Sequence, residues 1–289
     1  MTTVNAGPAA PPKKAQAITD RHLYRMGVVG GTVGSVVALP FVALHPHLPP
    51  GSAVGVIKTV LDFGPWLFLH FGLMMVLVLM LVGMAAYSRS IQDDRASAWG
   101  AVAFVIGLIG TVFAILGQGV DGLGLNVISH VWQAAPENEK FAAVTAAAGV
   151  MGVATGVFIL VLFFYFGLTS LVYSLAFGLS EEFPNWLAGI AFLGGSLGFS
   201  GALFTYFDDF SDPVYYGLFI PSAVVFLIWV FIAAIILWRR ELRVPKAGAE
   251  EAKAAKRAAK AEAKAAAKPS APPLEPASGV KESATSGGD

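Results

Sequence analysis

Histidine and aspartate side chains recur in and beside the polar stretches that separate the apolar segments of this chain. Imidazole and carboxylate groups together bind Zn²⁺ or another divalent ion, or they relay protons. The hydropathy pattern predicts that one set of these residues shares the outer face of a membrane: His45, His47, His70, Asp121, His130, Asp208, Asp209 and Asp212. Because these groups come from separate loops, their spacing also fits ordinary solvated loop residues.

His70 is the strongest single candidate in this set. It lies about one turn inside the predicted second span, where an ionisable group is costly and usually faces the interior of a helix bundle. Asp121, at the end of the third span, is its expected partner, with Gln118 one turn earlier. The alternative is a histidine that is hydrogen-bonded near the membrane interface. Membrane b-type haem needs paired axial histidines at bilayer depth, and only His70 is available, so we expect no haem and assign no cofactor.

Other site chemistries find little support in the sequence. The chain has no cysteine, which excludes disulfides, thiolate metal sites and catalytic thiols. Gly198, Ser200 and Gly201 match the G-x-S-G pattern of intramembrane rhomboid proteases, but the last span has no histidine to activate the serine. We therefore interpret this stretch as a packing surface and assign no catalytic residue. The basic C-terminal stretch has no aromatic residue to stack on bases, so we expect no nucleic-acid partner.

Six long apolar segments position these residues. Of the 289 residues, 56% are apolar and 13% are charged, whereas an ordinary soluble domain is roughly 25% charged. A helix of about 20 apolar residues suffices to span a bilayer. The predicted spans are 23–44, 66–87, 98–120, 143–179, 186–207 and 215–238, with short surface helices within 52–63 and 121–136. The predicted fold class is therefore all-α, a polytopic bundle of six transmembrane helices.

Small residues predict how the spans pack together. Glycines four residues apart occur in the first and fifth spans: Gly27 and Gly31, Gly30 and Gly34, and Gly194 and Gly198. Lipid gives no hydrophobic reward for helix association, so close backbone contact must supply the attraction, and glycine permits that contact. Pro40 is expected to kink or end the first span.

Lysine and arginine residues predict the orientation in the membrane. They are concentrated near both termini and in the loop between the second and third spans, whereas the opposite loops carry only Lys58 and Lys140. The positive-inside rule then places both termini in the cytoplasm, which agrees with an even number of spans. We therefore predict four segments: a disordered cytoplasmic tail (1–22), the six-helix transmembrane domain (23–240), an Ala/Lys-rich cytoplasmic helical tail (241–268) and a disordered C-terminus (269–289).

Three short motifs resemble an uncharacterised family of bacterial six-helix integral membrane proteins. The motifs are Leu23-Tyr24-Arg25 before a small-residue helix, Val120-Asp121-Gly122, and Val131-Trp132 followed by Gln-Ala-Ala-Pro136. The resemblance covers about residues 21–240 of the chain. It implies a location in the bacterial cytoplasmic (inner) membrane, and it brings no known activity and no catalytic residues.

Three functions stay open at this level. The first is a non-enzymatic structural or accessory subunit, because the odd-numbered spans are Gly-rich and few polar groups lie within the membrane. The second is a transporter of small molecules or ions, with His70, Gln118 and Asp121 in an outer vestibule. The third is a metal-dependent membrane enzyme or metal-handling protein that uses the outer histidines and aspartates. The expected partners are the lipid bilayer and either a second copy of the chain or another membrane protein.

Overall fold

The structure is a computed structural model that describes residues 13–49, 51–208, 211–243 and 257–260. The chain divides into two compact units, Met1–Arg243 and Val244–Asp289. The first unit contains the helix bundle. In the second unit the described residues are helical, and the rest of the predicted tail segments after Arg243 lies outside the described residues.

All regular structure in the described residues is helical, and no strand occurs among them. The α-helices of the first unit are α1 (Lys13–Leu44), α2 (Ala53–Asp62), α3 (Trp66–Ser90), α4 (Asp94–Gln118), α5 (Leu125–Ala134), α6 (Lys140–Leu160), α7 (Thr169–Leu179), α8 (Asn185–Asp208), α9 (Asp212–Val214) and α10 (Ile220–Arg243). The π-helical segments Gly119–Gly124, Val161–Leu168 and Tyr215–Phe219 connect α4 to α5, α6 to α7 and α9 to α10. None of these three connections contains a loop.

Six helical stretches of the described residues are long and apolar enough to cross a membrane. They are His22–Leu44, Trp66–Ser90, Asp94–Ala134, Lys140–Leu179, Asn185–Phe207 and Asp212–Arg240. The shortest has 23 residues, or about 35 Å at 1.5 Å per residue, which exceeds a hydrocarbon core of about 30 Å. The chain is therefore a multi-pass helical membrane protein, and the predicted all-α bundle of six spans is confirmed. The side on which the termini lie stays a prediction.

One connection differs from what the sequence predicts. The third span and the predicted surface helix after it are not separated, because α4 continues through the segment Gly119–Gly124 into α5. Another helix supplies a partner for the polar backbone there: the Trp66 indole N–H donates to the Gly122 carbonyl over 2.8 Å. Pro40, which was expected to kink or end the first span, does not end it, since α1 continues to Leu44. Neighbouring helices make such interruptions tolerable in a membrane by satisfying freed backbone groups.

The glycines of α1 face α3 and α10. A Cβ atom on Gly34 would lie 2.7 Å from Met80 Cγ, and a Cβ on Gly30 would collide with the Leu79 carbonyl oxygen. Added Cβ atoms on Gly27 and Gly31 would likewise collide with side chains of α3. The two helices run antiparallel and approach each other closely because these positions have no side chain.

The α8 glycines lie in a second close contact. A Cβ atom on Gly194 would lie 3.0 Å from Val225 Cγ1 of α10. A Cβ on Gly198 would lie 2.9 Å from the backbone nitrogen of Gly167, in the segment between α6 and α7. The fifth span is thus held between the fourth and the sixth.

The two ends of the bundle are filled differently. Near the connections 91–93 and 180–184, buried aromatic rings pack against one another: the ring centroids of Phe177 and Phe183 are 4.2 Å apart, and those of Tyr173 and Trp229 are 5.4 Å apart. The opposite end, where α1 ends and α3 begins, is called the site end here. A cavity occupies the bundle at the site end.

Candidate metal centre

Three helix ends bring His45, His70 and Asp121 together at the site end. His45 directly follows α1, His70 lies about one turn inside α3, and Asp121 lies in the π-helical segment after α4. Because α1 and α4 both run antiparallel to α3, their ends lie beside its beginning. His70 is 2% exposed, whereas the side chains of His45 and Asp121 are 20% and 24% exposed. His45, which follows the first span, thus lies beside the predicted pair of His70 and Asp121.

The three side chains meet through one atom each. His70 Nε2 lies 3.2 Å from His45 Nε2 and 3.2 Å from Asp121 Oδ2. The third distance, from His45 Nε2 to Asp121 Oδ2, is 3.5 Å. The three atoms form a nearly equilateral triangle, and imidazole nitrogen and carboxylate oxygen are both atoms that ligate metal ions. We call this group the His–His–Asp triangle.

The second nitrogen of each ring determines the chemistry of the triangle. His70 Nδ1 lies 2.7 Å from the Trp66 carbonyl, and His45 Nδ1 lies 3.0 Å from the Pro46 carbonyl. A carbonyl oxygen only accepts, so the contacts assign a proton to each Nδ1, and a ring with no second proton presents a lone pair at Nε2. In that form of both rings, two nitrogen lone pairs and one carboxylate oxygen face one another. This arrangement is repulsive unless a proton or a metal ion lies between them.

The dimensions of the triangle match those of a tetrahedral metal site. Zinc bonds of about 2.0–2.1 Å place the ligand atoms of a tetrahedron about 3.3–3.4 Å apart. The observed separations of 3.2, 3.2 and 3.5 Å lie on either side of this value. One proton satisfies one edge of the triangle, whereas a dication binds all three corners. Three protein ligands also leave a fourth position open, as in catalytic zinc sites.

Trp66 and Gly122 hold the triangle in position. The indole N–H of Trp66 donates to the Gly122 carbonyl, and the Trp66 carbonyl accepts from His70 Nδ1. The rings of Trp66 and His70 are in contact, with centroids 4.4 Å apart. A Cβ on Gly122 would lie 2.6 Å from His70 Cβ, so glycine lets the Asp121 segment approach His70 this closely. Metal-ligating histidines commonly have such a backbone partner on the second nitrogen, which orients the ring.

A second His–Asp pair lies at the same end of the bundle. His47 Nδ1 is 3.4 Å from Asp212 Oδ1, which is an ion pair when His47 is protonated. The His47 ring also contacts Tyr215 and Tyr216, at centroid distances of 4.3 and 5.4 Å. The pair connects the segment after α1 to the start of the sixth span. His45, His47 and Tyr215 line the same cavity.

The remaining predicted residues lie apart from these two groups. His130 is on α5 and is exposed, outside the triangle. Asp208 ends α8, but its side chain and the whole of Asp209 lie outside the described residues. The structure thus brings together His45, His70 and Asp121 in one group and His47 and Asp212 in another.

A cavity of about 400 Å³ extends from the triangle into the bundle. Its wall includes His45, Gln118 and Asp121 at the end beside the triangle, which we call the mouth, and Met80 and Tyr165 farther from that end. Met80 lies ten residues beyond His70 on α3, or about 15 Å along the helix at 1.5 Å per residue. This depth is about half of the hydrocarbon core. The volume lies within the usual range of ligand pockets, about 300–1,000 Å³.

Two residues of this region, Trp66 and Tyr165, give no sign of their role in the sequence. Trp66 shows the typical signal of an interfacial aromatic residue, which gives no sign that its indole N–H and its carbonyl both contact the site. Tyr165 sits in an aromatic run of the fourth span and lines the cavity. Gln118 was expected beside Asp121 and does line the cavity, but its Oε1 has no hydrogen-bond partner in the described residues.

The fold and the site define a class: a six-span helical membrane protein with a His–His–Asp triangle at the mouth of an intramembrane cavity. No protein-family model, no curated protein and no solved structure matches the chain. The resemblance to bacterial six-helix membrane proteins therefore rests on the short sequence motifs alone.

Proposed function

We propose that this protein is a metal-dependent membrane protein that binds one divalent transition-metal ion, of the Zn²⁺ type, at His45, His70 and Asp121. The observation that carries the proposal is the triangle itself: three electron-pair donors from three helices, 3.2 to 3.5 Å apart. Both histidines have Nδ1 beside a carbonyl oxygen, which leaves each Nε2 available to bind a metal ion. A metal ion accounts for all three atoms at once.

The nature of the ligands supports a functional site rather than a structural crosslink. Two imidazoles and one carboxylate are the ligand set of several catalytic zinc sites, and the fourth position is left for water or a substrate oxygen. His45 and Asp121 also form part of the cavity wall. A metal ion there would act as a Lewis acid on an oxygen atom in the cavity.

The other two functions derived from the sequence receive less support. A transporter needs a path across the membrane, but buried aromatic side chains such as Phe177 and Trp229 fill the half of the bundle beyond the cavity. An accessory subunit needs no convergent polar site, and the triangle gives it no role. The proposal therefore takes up the metal-handling hypothesis, which the sequence ranks third.

The location and orientation are part of the proposal. Lys58 and Lys140 are the only basic residues in the polar connections of the site end, whereas Arg89 and Arg95 flank the connection between α3 and α4. The positive-inside rule supports a cytoplasmic location for both termini. The triangle would then face the outer side of the cytoplasmic membrane.

Metal analysis of the purified protein tests this proposal. Protein extracted in mild detergent, dialysed and exposed to Zn²⁺ or Co²⁺ should retain about one ion per chain. His45→Ala and Asp121→Asn should lose it, whereas His130→Ala, an exposed histidine outside the triangle, should keep it. Co²⁺ should give the intense visible absorption of tetrahedral coordination. Wild-type protein without a stoichiometric ion, or equal loss in His130→Ala, would contradict the proposal.

A further inference from the structure

The cavity is apolar over most of its length. Beyond the mouth, its wall includes Val76, Leu77, Ala114, Phe226 and Leu227, which come from α3, α4 and α10. An apolar wall binds hydrocarbon favourably, and it does not compensate the lost hydration of an ion or a sugar. The shape therefore favours a molecule with an aliphatic part that is about as long as the cavity is deep.

Polar atoms without partners occur at two depths of this wall. Gln118 lies just before Asp121, and its Oε1 is buried with no hydrogen-bond partner in the described residues. Tyr165 lies far from the mouth; it is 1% exposed, and its hydroxyl likewise has no partner there. Unpaired buried polar groups are unfavourable. Both residues line the cavity, and an occupant with a polar head near Gln118 and a second oxygen near Tyr165 would supply the missing partners.

Helix α6 contributes to the cavity wall and is itself little buried. Of the 21 residues of this helix, only Ala143 and Ala147 are buried. Gly152 lines the cavity and is itself exposed, and a Cβ atom there would meet no atom within 4 Å. A molecule dissolved in the bilayer therefore has a short path to the cavity. This observation favours a lipid-like occupant over a water-soluble one.

We propose that the cavity binds a single-chain amphiphile from the membrane, with its oxygen-bearing head at the His–His–Asp triangle and its aliphatic chain directed toward Tyr165. The volume of about 400 Å³ lies near the lower limit for ligand pockets, which suits one chain. A carboxylate or hydroxyl head occupies the open fourth metal position. This head-group contact rests on the proposed metal site, whereas the chain contact rests on the cavity alone.

Photo-crosslinking in lipid nanodiscs tests the chain contact. The probe is dodecanoic acid with a diazirine near the chain end, and crosslinked peptides are identified by mass spectrometry. Labelling should fall on cavity-wall peptides, chiefly Val161–Leu168, and an excess of unlabelled dodecanoate should suppress it. Labelling confined to lipid-facing positions, which unlabelled dodecanoate does not suppress, would overturn the inference.

Two glycines of α6 provide a matched pair of variants. Gly152 and Gly156 both have open space at the position of a Cβ atom, but only Gly152 lines the cavity. We call the labelling that excess unlabelled dodecanoate suppresses competed labelling. Gly152→Phe should weaken this competed labelling about tenfold, whereas Gly156→Phe should leave it unchanged. Thr155→Phe, also in the cavity wall, serves as a second blocking variant. Equal labelling in Gly152→Phe, Thr155→Phe and Gly156→Phe would overturn the inference.

The contribution of Tyr165 has its own readout. Wild-type protein should prefer ω-hydroxydodecanoate over dodecanoate as a competitor, and Tyr165→Phe should remove the preference. The absence of any preference in the wild-type protein would contradict the role of this hydroxyl.

Metal content measured on the same samples separates this inference from the proposed function. Gly152→Phe should keep its metal ion while it loses dodecanoate binding. Asp121→Asn should lose its metal ion and bind dodecanoate more weakly. Bound metal without competed labelling would overturn the amphiphile inference alone. Competed labelling of cavity peptides without bound metal would overturn the metal proposal and the head-group contact, and it would support the chain contact.

Discussion

Replacing Gly122 with alanine should displace one of the proposed metal ligands while all three ligand side chains stay unchanged. An alanine Cβ at this position would lie 2.6 Å from His70 Cβ. Non-bonded carbon atoms are in contact at about 3.5–4.0 Å, so the two backbones must separate by about 1 Å. Metal–ligand distances tolerate about 0.2 Å. The shift therefore takes His70 Nε2 or Asp121 Oδ2 out of bonding range.

The expected result is a large loss of metal affinity in a folded protein. Disturbing residues that only orient a ligand typically costs 10- to 100-fold in metal affinity, and a displaced ligand should cost at least about 100-fold. Zinc affinity is measured by competition with a fluorescent chelator in detergent, beside thermal unfolding of the same sample. Gly124→Ala is the matched control, because its Cβ would make an ordinary contact of 3.4 Å with Val150 Cγ1. Wild-type affinity in Gly122→Ala, or equal losses in both variants, would refute the reasoning.

Three further predictions concern the support of the site, the packing of the bundle and its orientation. Trp66→Phe removes one hydrogen bond to the Asp121 segment, so it should lower the free energy of unfolding by about 1 kcal/mol and the zinc affinity 10- to 100-fold. Thermal unfolding and chelator competition measure these two effects. An unchanged zinc affinity would contradict the supporting role of Trp66. Gly30→Leu places a side chain against α3 and should destabilise the bundle by about 1–3 kcal/mol. Gly149→Leu places the same side chain in open space and should not destabilise it. Equal thermal stability of the two variants in detergent would argue against close packing of α1 on α3. The chain has no cysteine, so the single variants His130→Cys and Gln92→Cys report which side of the membrane each position faces. A membrane-impermeant maleimide added to intact cells should label His130→Cys and not Gln92→Cys. The reverse pattern would show that the predicted orientation is inverted.

The pairing of His70 with Asp121 shows how far sequence reasoning reaches. Consecutive spans run in opposite directions, so the beginning of the second span and the end of the third must lie on the same side of the membrane. A buried ionisable residue needs a partner, and Asp121 was the nearest candidate. The structure places the two side chains 3.2 Å apart. The choice among His45, His47 and His130 as the third member does not follow in this way. His45 and His47 follow the first span and His130 lies on α5, and the positions of both segments depend on the packed bundle.

The sequence by itself determined the six spans, because backbone hydrogen bonds must be satisfied within a helix in lipid and about 20 apolar residues are needed to cross it. It also determined which helix ends share a side. Only the tertiary structure decided which side chains meet. Close packing at Gly122 brings Asp121 to His70, and the backbone carbonyls of Trp66 and Pro46 orient the two imidazoles. The cavity, too, exists only as space left between helices, and no local pattern in the chain encodes such a space.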